Sequence, residues 1–457
     1  MPTMNRRKFL SLGAKTLTGA GLALGASPWH TLAQAASGSF DSSSYKALVC
    51  IYLDGGMDGF SMLVPVDNTG YAEYARSRTH LAVPQNQLTP LSTYNTAMAP
   101  VGLSSTLQGL LPLYDEGRLG FIANVGTLIE PTTKEQYVDQ SVALPSQLFS
   151  HSDQSIQWQQ LQGQLTGRDG WGARAAQYLD HWQERDYLTS ITLGGSNYWQ
   201  SGSERRPYSM NGEGVAQYAG MDKDDSEWQR PRREAFQRLL TNSHSHVFTQ
   251  AYTDLQSRAS GITEELGAAI DGAAPSSITV PAENELATKL AMVARVINAR
   301  ETLGMSRQIF YVDMKGWDVH DGQARDQPGL FTQLNDALVY FQQAIDEMQL
   351  GDQVTAFSAS DFGRSLTSNG DGTDHGWGNH HLVMGGAVNG GDVYGTLPRM
   401  SIDGPDSVRT GRVVPSLSAS QYASTLLSWI GLEQNQVREV LPDLNNFSVQ
   451  DLGFLKA

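Results

Sequence analysis

Histidines and carboxylates recur together in three short strings of this sequence. The strings are Ser150-His151-Ser152-Asp153, Trp317-Asp318-Val319-His320-Asp321 and the run from Asp374-His375 to His380-His381. Imidazole and carboxylate groups together bind zinc, manganese and similar cations. A single histidine in a loop is ordinarily a solvated or hydrogen-bonded residue, so the clustering is what makes these strings informative. We therefore expect them to form a polar site, with a divalent metal (zinc, manganese or calcium) as its cofactor.

Two further carboxylates follow apolar runs that are typical of buried strands. Asp54 closes the run 47–53, and Asp361 follows the run 354–358. In open α/β sheets, sites form at the carboxyl ends of the strands, so both side chains are candidate metal ligands at one edge. Asp361 could instead orient a histidine. The glycines at 55 and 56 would let the backbone approach a cation closely. The alternative for Asp54 is a plain turn residue, since Asp-Gly is a common turn pair.

Ser150 precedes a predicted helix and is the candidate nucleophile. The free N–H groups and the positive dipole end of a helix N-terminus stabilise an oxyanion and assist an alkoxide. His151 would lie beside that oxyanion. The alternative is a capping box, because Ser150-x-x-Asp153 fits that pattern.

Arg364 follows Asp361 in the string Ser360-Asp361-Phe362-Gly363-Arg364. A guanidinium there could hold a phosphate or sulfate through two hydrogen bonds and stabilise the oxyanion. The alternative is an Asp361–Arg364 ion pair that fixes the loop.

The elements that must position these residues alternate between strand and helix. Further strands are predicted at 119–125, 190–194, 308–312 and 381–385. Helices are predicted from about Ser152, over 231–266 and 281–303, along the apolar stripe from Leu330 to Met348, and over Gln421–Ile430. The alternation predicts an α/β/α sandwich with a mostly parallel central sheet. We assign it to residues 45–457, with 195–300 as an irregular and helical insertion.

Composition narrows the class of protein. The chain has 457 residues, is 40% hydrophobic and carries a net charge of −15. The apolar fraction supports a large core, and the acidity argues against a nucleic-acid partner, because phosphate contacts need a basic surface. The single cysteine, Cys50, excludes an intrachain disulfide framework and a cysteine-based zinc site. We expect Cys50 to be a core residue.

The first 35 residues have the pattern of an export signal. Asn5-Arg6-Arg7-Lys8-Phe9-Leu10 is a twin-arginine core, a short Gly- and Ala-rich apolar stretch follows, and Ala33-Gln34-Ala35 fits a cleavage site. The stretch is too short to span a bilayer. The sequence thus predicts a periplasmic protein that is exported folded by the twin-arginine (Tat) translocon and keeps no membrane span after cleavage.

At these strings the chain resembles a family of exported bacterial proteins catalogued as domain of unknown function fifteen hundred and one. The matching strings are the leader, Leu53-Asp54-Gly55-Gly56-Met57-Asp58, Gly316 to Asp321, Ser360 to Arg364, Asp374 to Trp377 and Met384 to Gly386. The resemblance spans nearly all of the mature chain. That family is regarded as a divergent branch of the alkaline phosphatase and sulfatase superfamily, which implies an alkaline phosphatase-like sandwich and metal-assisted hydrolysis in its ancestry.

The resemblance implies roles for individual residues. It implies that Asp54 and Asp361 are aspartate ligands of the metal and that Asp318 and His320 form an Asp…His ligand pair. It also implies that either His375 or His380 is the histidine ligand that comes late in the superfamily's sequence. It also implies that Ser150, with Ser152 as the alternative, is the nucleophile.

Two departures from the superfamily pattern stand out. Phe362 occupies the position of a histidine ligand, which puts one of two metal positions in doubt. The Cys-x-Pro-x-Arg string of sulfatases that modify a cysteine is absent from the sequence.

Three functions follow as hypotheses. The first is a periplasmic hydrolase of phosphate or sulfate esters, on small molecules or polymers. The second is a binding or assembly protein of the same fold that has lost the chemistry and acts with an exported partner. The third is a metal-dependent lyase or mutase that reuses the pocket.

Overall fold

A computed structural model describes residues 44–95, 98–163, 169–183, 185–215, 229–243 and 245–456. All of them belong to one compact unit. The predicted export signal at 1–35 lies outside the described residues. Among the helices that are described, none combines the length and apolar character that crossing a membrane requires.

The described strands are short except for those at the centre of the molecule. In chain order they are β1 (Lys46–Leu53), β2 (Leu63–Pro65), β3 (Leu88–Pro90), β4 (Val101–Ser104), β5 (Leu119–Gly126), β6 (Ser190–Thr192), β7 (Tyr208–Ser209), β8 (Arg307–Met314), β9 (Val354–Ser360), β10 (Arg364–Ser368), β11 (Thr373–His375), β12 (Asn379–Met384), β13 (Val393–Gly395), β14 (Ser407–Val408), β15 (Arg412–Val413) and β16 (Leu417–Ser418).

In chain order, most of the described α-helices fall between the long strands. They are α1 (Asn68–Arg78), α2 (Leu111–Asp115), α3 (Lys134–Asp139), α4 (His151–Gln160), α5 (Trp171–Leu179), α6 (Gln229–Thr241), α7 (Val247–Gly272), α8 (Glu285–Asn298), α9 (Gln323–Glu347), α10 (Ala419–Ile430) and α11 (Gln434–Val440).

The central sheet confirms the predicted fold class. Within the described residues it has nine strands in the order β13-β5-β12-β9-β1-β8-β6-β7, with β16 also paired to β5. Every pairing is parallel except those of β12, which runs antiparallel to both β5 and β9. β1 is buried along almost its whole length, as its continuous apolar sequence predicts for a strand covered on both faces.

Alternate residues of β1 point into two separate cores, because side chains along a strand alternate between its faces. Val49 and Ile51 pack in the core that contains α8 and α9. Leu48 and Cys50 pack in the core that contains α5, α10 and α11. These two helical layers around one sheet make the sandwich, and Cys50 is a core residue as expected.

Two sequence expectations need correction. The predicted long helix at 231–266 is two helices, α6 and α7, separated near residues 242–246. A polar run, Thr241 to His246, interrupts the apolar periodicity there. In the region expected to be irregular, the described part contributes β7 to the edge of the central sheet, and residues 216–228 lie outside the described residues.

Candidate metal centre

One edge of the central sheet gathers four of the candidate ligands that sequence reasoning selected. Asp54 follows β1, Asp361 follows β9, and Asp318 and His320 lie in the loop after β8. β1 pairs in parallel with both neighbours, and the register sets Leu53 opposite Met314 and Ser360. The three strands therefore end side by side, which brings their loops to one edge.

Four side chains converge at this edge: His151, Asp318, His320 and His375 each offer one ligand atom, all within 4.8 Å of one another. Oδ1 of Asp318 lies 3.3 Å from Nε2 of His151, 3.1 Å from Nε2 of His320 and 3.6 Å from Nε2 of His375. The Nε2 atoms of His320 and His375 are 2.8 Å apart. We call these four residues the metal cluster.

Hydrogen bonds fix which ring nitrogens face the cluster. Nδ1 of His375 lies 2.7 Å from the carbonyl oxygen of Phe149, which can only accept, so Nδ1 carries the proton. Burial lowers the pKa of His375 and favours its neutral form. Its Nε2 atom therefore points a lone pair at Nε2 of His320, as a metal ligand would.

The geometry of the cluster fits a tetrahedral cation. Ligands about 2.0–2.1 Å from a tetrahedral zinc lie about 3.3 Å apart, close to the separations around Asp318. Nε2 of His151 is buried and makes no well-aligned hydrogen bond among the described residues, although Oδ1 of Asp318 lies 3.3 Å away. A cation bound between these two atoms would satisfy both.

A buried carboxylate orients His151. Oδ2 of Asp361 lies 2.7 Å from Nδ1 of His151, and Oδ1 of Asp361 accepts a hydrogen bond from the Tyr52 hydroxyl at 2.6 Å. The hydrogen bond to Asp361 raises the pKa of His151. The sequence left two roles open for Asp361, a metal ligand or a residue that orients a histidine, and its contact with His151 is the second, the carboxylate–histidine arrangement that metal sites use to orient imidazoles.

Arg364 holds Asp318 rather than Asp361. Nη1 of Arg364 lies 3.0 Å from Oδ1 of Asp318 and 3.2 Å from the carbonyl of Gly55, and Nε donates to the Thr373 hydroxyl. The guanidinium is completely buried. Burial would raise the pKa of Asp318, but this hydrogen bond and the nearby His151 lower it. Arg364 is therefore a positioning residue for the cluster, and the predicted oxyanion contact is not available to it.

Asp54 lies near the cluster but is not one of its four members. Burial raises the pKa of Asp54, and the neighbouring carboxylates of Asp361 and Asp313 raise it further. Gly55 and Gly56, with φ of 116° and 82°, turn the chain sharply after this residue.

Phe362 fills the space next to Asp361. Its ring centroid is 4.7 Å from that of His151 and 4.7 Å from that of His375, stacked on the latter. The ring also lies against Gly56, where a Cβ atom would collide with it. An aromatic wall thus occupies the position where the superfamily resemblance implies a histidine ligand.

Ser150 lies between two residues of the site. It precedes His151 and follows Phe149, whose carbonyl binds His375. The Ser150 hydroxyl donates to Oδ2 of Asp153 at 2.6 Å. Among the described residues no backbone N–H donates to that hydroxyl, so Ser150 starts helix α4 without the predicted capping box. Phe149 has a φ of 75°, a strained conformation of the kind found at functional sites.

His380 and His381 do not join the cluster. Both are completely buried in β12. Nδ1 of His380 accepts from the backbone N–H of Asn124, and Nδ1 of His381 lies 3.2 Å from the Ser358 hydroxyl. Of the two late histidines that the resemblance offered, His375 is the one in the cluster.

Sequence reasoning missed two arginines that pack on the ring of Phe149, the residue before Ser150. The guanidinium carbons of Arg412 and Arg409 lie 4.4 and 5.4 Å from the ring centroid of Phe149. Arg412 also donates to the carbonyl of His375 at 2.7 Å. They follow the gap of about thirty residues after the last histidine string, and only the fold brings them here.

Comparisons with solved structures give distant likenesses. The PsFucS1 sulfatase from Pseudoalteromonas sp. is 10% identical with a TM-score of 0.37, covering 95% of this chain and 78% of that one. The lipoteichoic acid synthase LtaP from Listeria monocytogenes is 7% identical with a TM-score of 0.34, covering 88% and 78%. Ps i-CgsB in complex with k-i-k-neocarrahexaose is 11% identical with a TM-score of 0.35, covering 86% and 73%. At such TM-scores these likenesses carry no argument.

Sequence comparison is more specific. Among curated proteins none matches this chain. A family model described as "Protein of unknown function (DUF1501)" matches residues 45–428, which include every member of the metal cluster. The chain therefore belongs to the DUF1501 family.

Proposed function

We propose that this protein is a metal-dependent hydrolase of phosphate or sulfate esters, exported to the periplasm by the twin-arginine pathway and descended from the alkaline phosphatase and sulfatase superfamily. The observation that carries the proposal is the convergence of His151, Asp318, His320 and His375 at the carboxyl edge of the sheet. The cluster is open to solvent, since Asp318 is 45% and His320 39% exposed. A substrate can therefore reach it.

The donor set favours zinc among the cations considered. Three imidazole nitrogens and one carboxylate oxygen suit zinc, whereas calcium takes six to eight oxygen ligands. Three of the cluster side chains are oriented by hydrogen bonds: His151 by Asp361, His375 by the carbonyl of Phe149, and Asp318 by Arg364. These bonds pre-organise the cluster for binding a cation. A cation held here with one coordination position open to the ester would act as a Lewis acid that neutralises the charge developing on it.

The surroundings of Ser150 support an anionic substrate. The guanidinium groups of Arg409 and Arg412 pack against the ring of Phe149, which is the residue before Ser150. Guanidinium groups bind phosphate and sulfate oxygens in pairs of hydrogen bonds. Both ester classes remain in the proposal, because both present the same tetrahedral anion.

Within this proposal Ser150 is the nucleophile and Asp153 its proton acceptor. The Ser150 hydroxyl already donates to Asp153, so that carboxylate can take the proton as Oγ bonds to the phosphorus or sulfur and the bond to the ester oxygen breaks. Asp153 then returns the proton to the leaving alkoxide, and water cleaves the seryl ester to release phosphate or sulfate and restore the Ser150 hydroxyl. The N-terminus of α4, a helix of ten residues, presents backbone N–H groups at this position.

The test is an assay of the purified mature chain against phosphate monoesters, phosphate diesters and sulfate esters, with zinc, manganese or calcium added after chelation. We expect turnover with zinc on at least one ester class. Ser150→Ala should abolish turnover but keep its bound metal. His375→Ala should lose both turnover and bound metal. Ser152→Ala tests the alternative nucleophile, and His80→Ala, an exposed histidine outside the cluster, is the control. Absence of turnover under every metal, with Ser150→Ala equal to wild type, would refute the hydrolase.

A second candidate is a binding or assembly protein that keeps the metal cluster without the chemistry. Phe362 favours it, because the aromatic ring removes a ligand from the second metal position that the ancestry implies. Stoichiometric zinc, no turnover and co-purification of an exported protein partner would support this candidate.

A further inference from the structure

A cavity of about 260 Å³ is lined by the first turns of α9, by residues 81–84 and by the end of β4 with the turn that follows it. It is separate from the metal cluster, whose four members do not line it. Pro84 and Gln87 on its wall are exposed, whereas Gln327 is only 7% exposed, so the cavity runs inwards from the surface. Sites for drug-sized ligands have about 300–1,000 Å³, so this cavity has room for one small molecule rather than a polymer.

Gln327 presents an amide N–H group to the cavity. Nε2 of Gln323 donates to Oδ2 of Asp58 at 2.8 Å, and a carboxylate can only accept, so the orientation of the Gln323 amide is fixed. The same Nε2 donates to Oε1 of Gln327 at 2.8 Å, which leaves the Nε2 end of Gln327 on the side of the cavity. That Nε2 atom makes no hydrogen bond with the described residues. A largely buried donor needs an acceptor, and here only a molecule inside the cavity can supply one.

Two hydroxyl groups line the cavity away from α9. Oγ of Ser104 and Oγ1 of Thr106 are 3.0 Å apart and share one hydrogen bond, in which either can be the donor. One hydroxyl proton of the pair is therefore left over, together with lone pairs that can accept. The cavity thus offers an N–H donor from α9 and a hydroxyl pair that both donates and accepts.

The lining carries no Asp, Glu, Lys or Arg side chain among the described residues. The charge of Asp58, behind the lining, is matched by Arg78 in a completely buried ion pair. A charged ligand would lose its hydration here without gaining a counter-charge. A purely apolar ligand would leave the Gln327 amide unpaired. Val83 and Phe331 nevertheless give the cavity apolar walls, so the matching ligand is uncharged and has both hydroxyl and C–H surfaces.

We propose that this cavity is a binding site for an uncharged polyol of the size of one monosaccharide. Its hydroxyl groups accept from Nε2 of Gln327 and exchange hydrogen bonds with Ser104 and Thr106. Its carbon frame packs against Val83 and Phe331. This inference does not rest on the proposed hydrolase, because the cavity and the metal cluster share no residue.

The test is a series of saturation-transfer difference NMR titrations of the full mature chain with glucose, galactose and myo-inositol, and with gluconate as a charged analogue. We expect saturable binding of at least one of the three uncharged polyols and at least tenfold weaker binding of gluconate. Gln327→Met removes the amide at nearly unchanged volume and should weaken binding about tenfold. Ser104→Ala with Thr106→Val should weaken it about fivefold. Ala324→Phe places a ring on the cavity wall at an exposed position and should abolish binding.

The matched controls are Gln333→Met, at an exposed glutamine of α9, and Ala72→Phe, at an exposed alanine of α1, both outside the cavity. Both should bind as the unmodified chain does, and circular dichroism confirms the folding of every variant. Absence of saturable binding by all three polyols overturns the proposal. So does binding that persists in Ala324→Phe or is unchanged in Gln327→Met, because the ligand would then lie elsewhere. Gluconate binding as tight as that of the polyols overturns the assignment to an uncharged ligand.

Discussion

Asp361 and His151 are joined by a hydrogen bond of 2.7 Å between residues 210 positions apart in the chain. The carboxylate comes from the end of β9 and the imidazole from the start of α4. This contact turns the Nε2 atom of His151 towards Asp318. The Asp361 carboxylate therefore orients His151, which is one of the two roles that the sequence leaves open for it.

The first prediction concerns that support. Asp361→Asn should lower the affinity for zinc about tenfold to a hundredfold, since the amide no longer fixes the His151 ring as a carboxylate does. Competition with a chromophoric chelator measures the affinity. Tyr52→Phe, which removes the hydroxyl that donates to Asp361, should have a smaller effect in the same direction. Asp371→Asn, an exposed carboxylate, is the control, and unchanged zinc affinity in Asp361→Asn would contradict the positioning role.

The second prediction concerns the aromatic wall. Phe362→His would place an imidazole next to Asp361 in the chain and against Gly56, two residues after Asp54, and these three side chains would together make a second donor set. We expect the metal content after dialysis against zinc to rise from a single equivalent towards a second one, as measured by plasma mass spectrometry. Phe362→Leu, which removes the ring without adding a donor, should leave it unchanged. If Phe362→His also leaves it unchanged, the second position is not restored by this residue alone.

The third prediction concerns substrate charge. Arg409→Gln should raise KM for an anionic ester about tenfold and weaken inhibition by inorganic phosphate or sulfate, with a smaller effect on kcat, because the guanidinium contributes to binding the anion. Steady-state kinetics measure both constants. Arg399→Gln, an exposed arginine paired with Glu73, serves as the comparison. A fall in kcat without a change in KM would argue against an anion-binding role.

The fourth prediction concerns acid stability. Burial lowers the pKa values of His380 and His381 to about 3, from 6.5. Between these values the unfolded chain binds protons that the folded chain does not, so stability is complete above pH 6.5 and is lost as pH falls towards 3. His381→Phe keeps an aromatic ring against Trp158 and Tyr422 and should shift acid unfolding to lower pH.

Circular dichroism across a pH series measures that shift. His80→Phe, at an exposed histidine, should leave the acid midpoint in place. An unchanged midpoint in His381→Phe would show that acid unfolding is governed by other groups.

The positions of the strands, and the carboxylates at their ends, can be predicted from the sequence more reliably than the residues that each side chain contacts. Asp54 and Asp361 end apolar runs, and the rule for parallel sheets is enough to place both at one edge. The direction of a side chain within a loop depends on distant contacts, so the sequence does not show that His151 faces Asp318 or that Arg364 is fully buried beneath it. His380 and His381 are adjacent to loop histidines in sequence, but the apolar residues that follow them place them inside β12. Phe149, Arg409 and Arg412 meet only through tertiary packing.

The reversed direction of β12 has a consequence for how this edge can change. Its neighbours β5 and β9 finish at the edge where β12 starts, so the segment from Asp361 to Gly378 leaves and re-enters the sheet at the same rim. That segment supplies Arg364, Phe362 and His375. Because both of its ends are attached to neighbouring strands, its length and sequence can change while the strand order of the sheet stays the same. Exchanging this segment between family members would therefore change the residues at positions 375 and 362 together and leave the topology of the sheet unchanged.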